Sequence, residues 1–206
     1  MFVTFEGCEG SGKTSLVKLV ASYYEKRGVK VLTTREPGGS LIAEDIRNIL
    51  LNPNNKDMGD ITEAYLYAAS RAQHVEKVIK PALETNKLVL CDRFIDSSLA
   101  YQGYARGLGI KRIFQLNEYA LNNILPNLTI FIDVSVKEGR RRINLINKAI
   151  DRLENLDEEF HQKVYEGFKL LSKKYRKRIV VINGERDINE VASDIINIIN
   201  KRLKYD

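Results

Sequence analysis

The chain has 206 residues, 44% apolar and 29% charged, a globular composition able to bury a sizeable core and too short for a multidomain machine. Lys and Arg total 33 against 27 Asp and Glu, and the resulting net charge of +6 and pI near 9.2 lead us to expect an anionic partner. Two cysteines and two histidines leave no disulfide framework or multi-histidine zinc site and fit a reducing cytoplasm, and with no long apolar run and no cationic stretch before Glu6 we expect neither a membrane span nor a signal peptide.

The first apolar run, Phe2 to Phe5, reads as a buried strand. Directly after it, Gly7-Cys8-Glu9-Gly10-Ser11-Gly12-Lys13-Thr14 matches the P-loop pattern G-x-x-x-x-G-K-[ST] and opens a helix predicted over Lys13 to Arg27. Glycines let successive amide hydrogens face one anion, and the helix N-terminus adds its positive dipole end. A triphosphate fits that concavity, with Lys13 reaching its outer phosphates and the Thr14 hydroxyl taking one magnesium position.

A second strand spans Val29 to Thr33, and Arg35 leaves its end just before a turn built on Pro37 and Gly38, so its guanidinium projects toward the P-loop crevice. Helices follow over Ser40 to Leu51 and Asp60 to Asn86, the latter kinked or ended by Pro81. On that helix Glu63, Tyr67 and Arg71 recur four apart on one face; a ring that stacks and a guanidinium that donates to a carbonyl suit a nucleobase, with core packing the competing reading of Tyr67. His74 reads as structural.

The third strand, Leu88 to Cys91, delivers Asp92 to a carboxyl end, where open parallel sheets bind ligands, and makes it a magnesium candidate. A helix over Ser97 to Tyr104 follows, with Ser97 also readable as its N-cap. After a helix over Lys111 to Leu125 and a strand over Leu128 to Ile132, residues 135–151 concentrate Arg140, Arg141, Arg142 and Lys148 with weak apolar periodicity, and Arg152 stands just beyond. That stretch reads as a mobile basic lid or as a solvated helix face. A helix over Asp151 to Lys174, a strand over Ile179 to Ile182 and a helix over Ile188 to Lys204 complete the pattern.

Continuous apolar strands alternating with helices predict an α/β, three-layer P-loop fold: a five-stranded parallel sheet flanked by helices, with a short lid, in a single domain spanning residues 1–206. The D-x-x-G and N-K-x-D signatures of a switch GTPase are missing, and a motor or transporter ATPase needs more chain. A compact kinase acting on a small phosphate acceptor remains.

Beyond the P-loop, Thr34-Arg35-Glu36-Pro37-Gly38-Gly39, Ser70-Arg71, Asp92-Arg93-Phe94, Ser97-Ser98-Leu99-Ala100-Tyr101-Gln102 and Asp151-Arg152-Leu153-Glu154 resemble the thymidylate kinases in order and spacing over nearly the whole chain. The resemblance implies transfer of the γ-phosphoryl of ATP to dTMP with Mg²⁺, in a cytoplasmic homodimer. It implies that Arg35 and Arg93 hold the acceptor's 5′-phosphate, and that Glu9 turns toward the acceptor, to its 3′-hydroxyl or to those arginines. It further implies that Tyr67 stacks on thymine, Arg71 bonds its exocyclic oxygen, Ser97, Ser98 and Gln102 face the base, and Tyr101 lies where a 2′-hydroxyl would sit.

Gly10 stands where one subtype of the family carries a P-loop arginine, so the basic stretch resembles the bacterial-type lid. Arg142, Lys148 and Arg152 are then the expected cations over the triphosphate, with Arg140 and Arg141 on the outer surface. The mid-lid position holds lysine, a point charge that cannot fork across two oxygens as arginine does. The alternatives are another nucleoside or nucleotide kinase, which Arg35 and Arg93 argue against because a nucleoside lacks the phosphate they would hold, and an ATP-switched basic nucleic-acid-binding protein. Neither nucleic acid nor a membrane is the expected partner.

Overall fold

The computed structural model describes residues 1–146 and 152–203. Strands β1 (Phe2–Glu6), β2 (Val31–Arg35), β3 (Leu88–Asp92), β4 (Leu128–Asp133) and β5 (Ile179–Asn183) form one parallel sheet in the order β2-β3-β1-β4-β5. Every residue of β1 is buried, whereas the edge strands β2 and β5 are partly exposed. That gradient is why the central strands read as continuous apolar runs. The second strand starts two residues later than predicted, because the Val29 N–H bonds back to the Tyr24 carbonyl and keeps Val29 in the turn.

Helices α1 (Lys13–Glu25) and α9 (Ile188–Leu203) cover one face of the sheet, packing Leu16, Val20 and Ile195 on Val3, Phe5 and Ile130. The other face carries α3 (Asp60–His74), α4 (Lys80–Glu84), α5 (Ile95–Ser98), α6 (Ile110–Leu121) and α8 (Glu158–Lys174), with Phe2, Val89, Cys91 and Phe131 beneath them. Helix α2 (Leu41–Leu51) packs on α3, and α7 (Val136–Ile146) follows β4.

Several helix boundaries depart from prediction for identifiable reasons. The helix expected over residues 60–86 is α3, a π-helical turn at Val75–Ile79 and α4; the widened turn precedes Pro81, whose ring and missing N–H disfavour an unbroken α-helix. Likewise α5 runs into a π-helical segment at Leu99–Ala105, and Ser97 lies inside α5 with its hydroxyl given to Glu6, so it is not the N-cap. Helix α8 begins at Glu158 because the Asp157 side chain caps it, accepting the Phe160 N–H at 2.7 Å. The beginning of the expected lid is the regular helix α7, whose Glu138 pairs with Arg141 and Arg142.

The chain reaches β2 and β3 on one side of β1 before crossing to β4 on the other. The crevice beyond the carboxyl ends of β1 and β3 is therefore the switch point where open α/β sheets bind ligands. The P-loop and Asp92 both lie there.

Candidate active site

At the end of β1 the loop turns through Gly7, Gly10 and Gly12, all at positive φ (150°, 72° and 86°). Lys13 folds its ammonium into the loop and donates to the carbonyls of Gly7 (3.1 Å) and Cys8 (2.8 Å) and to Ser11 Oγ (3.1 Å). Burial, followed by the nearby Arg93 charge, lowers its pKa. Thr14 Oγ1 donates to Asp92 Oδ2 at 2.5 Å, placing a hydroxyl and a carboxylate together at the strand ends. Two hard oxygen donors suit Mg²⁺, which takes few protein ligands and completes its shell with water and phosphate. Among the described residues no group of three or more His, Cys, Asp or Glu converges, so a metal needing an all-protein cage has no site there.

One crevice is lined by every residue expected at the acceptor: Glu9, Arg35, Tyr67, Arg71, Arg93, Ser97, Ser98, Tyr101 and Gln102, together with Thr14 and Asp92. On its phosphate side, Arg93 Nη2 donates to Glu9 Oε1 at 2.5 Å and Nη1 to the Gly7 carbonyl at 3.0 Å, so this arginine is tied directly to the P-loop. Glu9 also accepts from the Tyr101 hydroxyl at 3.3 Å. Arg35, half-exposed, pairs with Glu44 at 2.8 Å and not with the adjacent Glu36.

On the base side Arg71 is 1% exposed. Its Nε and Nη2 hold Glu36 Oε2 at 2.8 and 2.7 Å, and Nη1 donates to Ser98 Oγ and Asn117 Oδ1. Of the five guanidinium N–H groups this leaves one on Nη2, a single donor beside the crevice. Glu36 is steadied from behind by His74, which also bonds Thr34, so His74 is structural as expected. Gln102 gives its amide nitrogen to Glu63, and Tyr101 packs edge-on against Phe160 and Phe168.

The basic stretch departs most from expectation. Arg152 is 8% exposed and donates to the Leu50 carbonyl and to Glu63, so it is a buried tie and not a cation held over the P-loop. Arg142 spends its fork on Glu138 and the Gly184 carbonyl, on its own helix and the loop after β5. Arg140, part-exposed with its guanidinium on the exposed Glu158 at 2.9 Å, also lines a second cavity with Cys8, Glu9, Glu154 and His161, where its charge, after burial, lowers the His161 pKa. Arg141 is exposed as expected. Lys148 lies outside the described residues.

Glu9 and Glu154 line both cavities. The first turn of α7 meets the P-loop backbone to backbone: a Cβ on Gly10 would sit 2.2 Å from the Gly139 carbonyl oxygen, and one on Gly139 2.3 Å from that of Glu9. Sequence reasoning missed Gly139, Glu36, Arg47, Leu51, Glu154 and Asn117. Glu36 and Glu154 stood within quoted motifs, whereas the others carry no local signal and reach the site only through tertiary packing.

The family profile described as thymidylate kinase matches residues 5–195. The chain is 49% identical to the thymidylate kinase of Mycoplasma capricolum over 205 residues, covering 99% of this chain and 96% of that one. It is 46% identical to the thymidylate kinase of Bacillus mycoides over 204 residues, 98% of each chain. Among solved structures, the thymidylate kinase of Ehrlichia chaffeensis matches with a TM-score of 0.80 at 37% identity, covering 97% of this chain and 98% of that one.

Proposed function

The chain belongs to the thymidylate kinase family, and on that premise we propose how its residues divide the transfer of the γ-phosphoryl of ATP to dTMP, which gives dTDP and ADP. The observation that carries the division is the contact of Arg93 with Glu9 and the Gly7 carbonyl, which joins the acceptor crevice to the triphosphate loop. Lys13 and the loop amides hold the ATP phosphates, while Arg35 and Arg93 hold the 5′-phosphate of dTMP. That phosphate is already an anionic nucleophile near neutral pH, since its second pKa is about 6. One of its oxygens bonds to the γ-phosphorus as the bond to the β,γ-bridging oxygen breaks, and the electron pair leaves with ADP. No side chain has to accept a proton, so positioning and charge compensation account for the catalysis.

Thr14 and Asp92 would hold Mg²⁺, which compensates charge on the β- and γ-phosphates when bound. The spare Nη2–H of Arg71 meets the exocyclic oxygen at C4 of thymine; cytosine carries a donor there and is disfavoured. Tyr67 stacks on the ring, Ser97, Ser98 and Gln102 border the base, and Tyr101 closes the space of a 2′-hydroxyl. Of the described lid cations, Arg140 shares a cavity with P-loop residues and is the best placed to approach the transferred group, with Lys148 as a second contributor. Residues 1–206 act as one domain, and the buried free thiols of Cys8 and Cys91 support a cytoplasmic setting. Exposed apolar side chains on three neighbouring helices, Leu41 and Ile42, Ile61 and Tyr65, and Tyr119, support a homodimer.

A coupled ADP-release assay across nucleoside monophosphates tests the assignment. Turnover with dTMP is expected to exceed that with dCMP or dGMP by about 10² or more, the discrimination available to a site whose polar groups are left unpaired by the wrong base. Equal turnover of dCMP, dGMP or uridylate would remove it.

A further inference from the structure

Beneath Arg93 lies a carboxyl group that the transfer chemistry leaves unused. Glu6, the last residue of β1, is fully buried and directly precedes Gly7. Its two oxygens have separate partners: Oε1 accepts the Phe94 backbone N–H at 2.8 Å, and Oε2 accepts the Ser97 hydroxyl at 2.5 Å. Phe94 belongs to the turn that carries Arg93, and Ser97 to the helix α5 that follows it.

That turn is strained. Arg93 sits at φ 66°, in the left-handed region that residues with a Cβ seldom occupy, and its own N–H is held by the Phe5 carbonyl at 3.0 Å. The following N–H, that of Phe94, is directed back at β1, where Glu6 receives it; without an acceptor this amide would be buried unpaired. Ser97 extends the contact to the charged end of the side chain, because it accepts from Arg93 Nη1 at 3.1 Å while donating to Glu6. With Gly7 and Glu9 taking the next two donors, the Nε–H and one Nη2–H are left for a ligand. The neighbouring Asp96 does not compete for these partners, since Arg178 and Thr129 occupy its oxygens.

We propose that Glu6 is the positioning residue of Arg93, holding the left-handed turn through the Phe94 amide and restraining the guanidinium through Ser97. The role rests on the reading of Arg93 as a grip on the acceptor phosphate. Burial, then the Asp96 carboxylate, raises the Glu6 pKa against the pull of Ser97, Arg93 and the Phe94 amide; charged or neutral, Oε1 still accepts from Phe94. A glutamine keeps that acceptor, whereas a leucine fills the volume without it.

Steady-state kinetics of Glu6→Gln, Glu6→Leu, Arg93→Gln and the Leu/Gln double variant test the proposal. Glu6→Gln is expected within about threefold of wild type, and Glu6→Leu to raise the KM for dTMP about tenfold or more and lower kcat, with the KM for ATP within about twofold. The double variant should be no more than about twofold worse than Arg93→Gln, since the group being positioned is already gone. A Glu6→Leu enzyme with wild-type dTMP constants, one that weakens ATP and dTMP alike, or full additivity in the double variant would overturn the proposal. If Arg93→Gln leaves dTMP kinetics unchanged, the reading of Arg93 itself fails and the positioning role goes with it. Should Glu6→Leu not fold, Ser97→Ala takes its place in the same cycle: a rise of about threefold in the dTMP KM that vanishes on the Arg93→Gln background supports the link, and its absence overturns it.

Discussion

Arg152 carries the charge expected of a cation over the triphosphate and the surroundings of a structural one. Its guanidinium shares the buried Glu63 carboxylate with Arg106 and Gln102, and these contacts, against the cost of burial, hold the Glu63 pKa down. Removing one partner of a buried ion pair costs about 3 to 5 kcal/mol, and because Glu63 keeps two other donors, Arg152→Gln is expected to lose about 2 to 3 kcal/mol in urea unfolding while the KM for ATP stays within about twofold. Unchanged stability with a collapsed kcat would restore the catalytic reading. Cys8 poses the opposite case, a nucleophile type inside the P-loop that the fold disarms. Burial raises its thiol to about 12, so below that pH the native protein holds it neutral, and iodoacetamide at pH 8 should label it only after denaturation. The same shift destabilises the fold in alkali: stability present below the unfolded thiol's pKa is lost as pH rises toward 12. Neither outcome was legible in the sequence. The P-loop and the place of Arg35 were, because backbone turns and a strand end fix them locally, and Arg93 came from the resemblance; whether Arg152 faces solvent depends on Glu63, far away in the chain.

At the scale of elements, apolar runs located the strands because burial on both faces favours apolar residues along β1, β3 and β4, the exceptions Thr4, Glu6 and Thr129 being hydrogen-bonded. Helix extents were less legible. Two π-helical segments interrupt helices that periodicity alone reads as continuous, and one of them carries Tyr101 and Gln102 into the crevice. The start of α8 illustrates what a single cap decides. Asp157 receives the Phe160 amide, Glu158 and Glu159 occupy the first turn, and Lys173 and Lys174 the last, all in the sense favoured by the helix dipole. Asp157→Ala should cost about 1 kcal/mol in chemical denaturation, a normal value for loss of an N-cap, and Asp157→Asn much less. Equal losses in the two variants would show that charge, not the cap hydrogen bond, sets the boundary. On helix α7 the Glu138 carboxylate is held at about 2 by its bonds to Arg141 and Arg142. The arginines that suggested a loop crowded with like charge are thereby partly neutralised within one turn.

For the whole molecule, the sheet order opens the crevice at the carboxyl ends of β1 and β3 and leaves α2, α3 and α6 with exposed apolar side chains elsewhere. Light scattering should report twice the chain mass of 23.6 kDa, and Ile61→Lys with Tyr65→Lys should return the protein to one chain mass. A monomeric wild type would leave those side chains unexplained. The contact of Gly10 with Gly139 bears on what this chain can become. Each position is barred from a side chain by the backbone of the other half of the molecule, and Gly10 also sits at φ 72°. The two sites therefore constrain each other: a side chain at Gly10 needs α7 to move away from the P-loop first. Two absent methyl groups, 129 positions apart in the chain, set how closely α7 can lie against the phosphate loop.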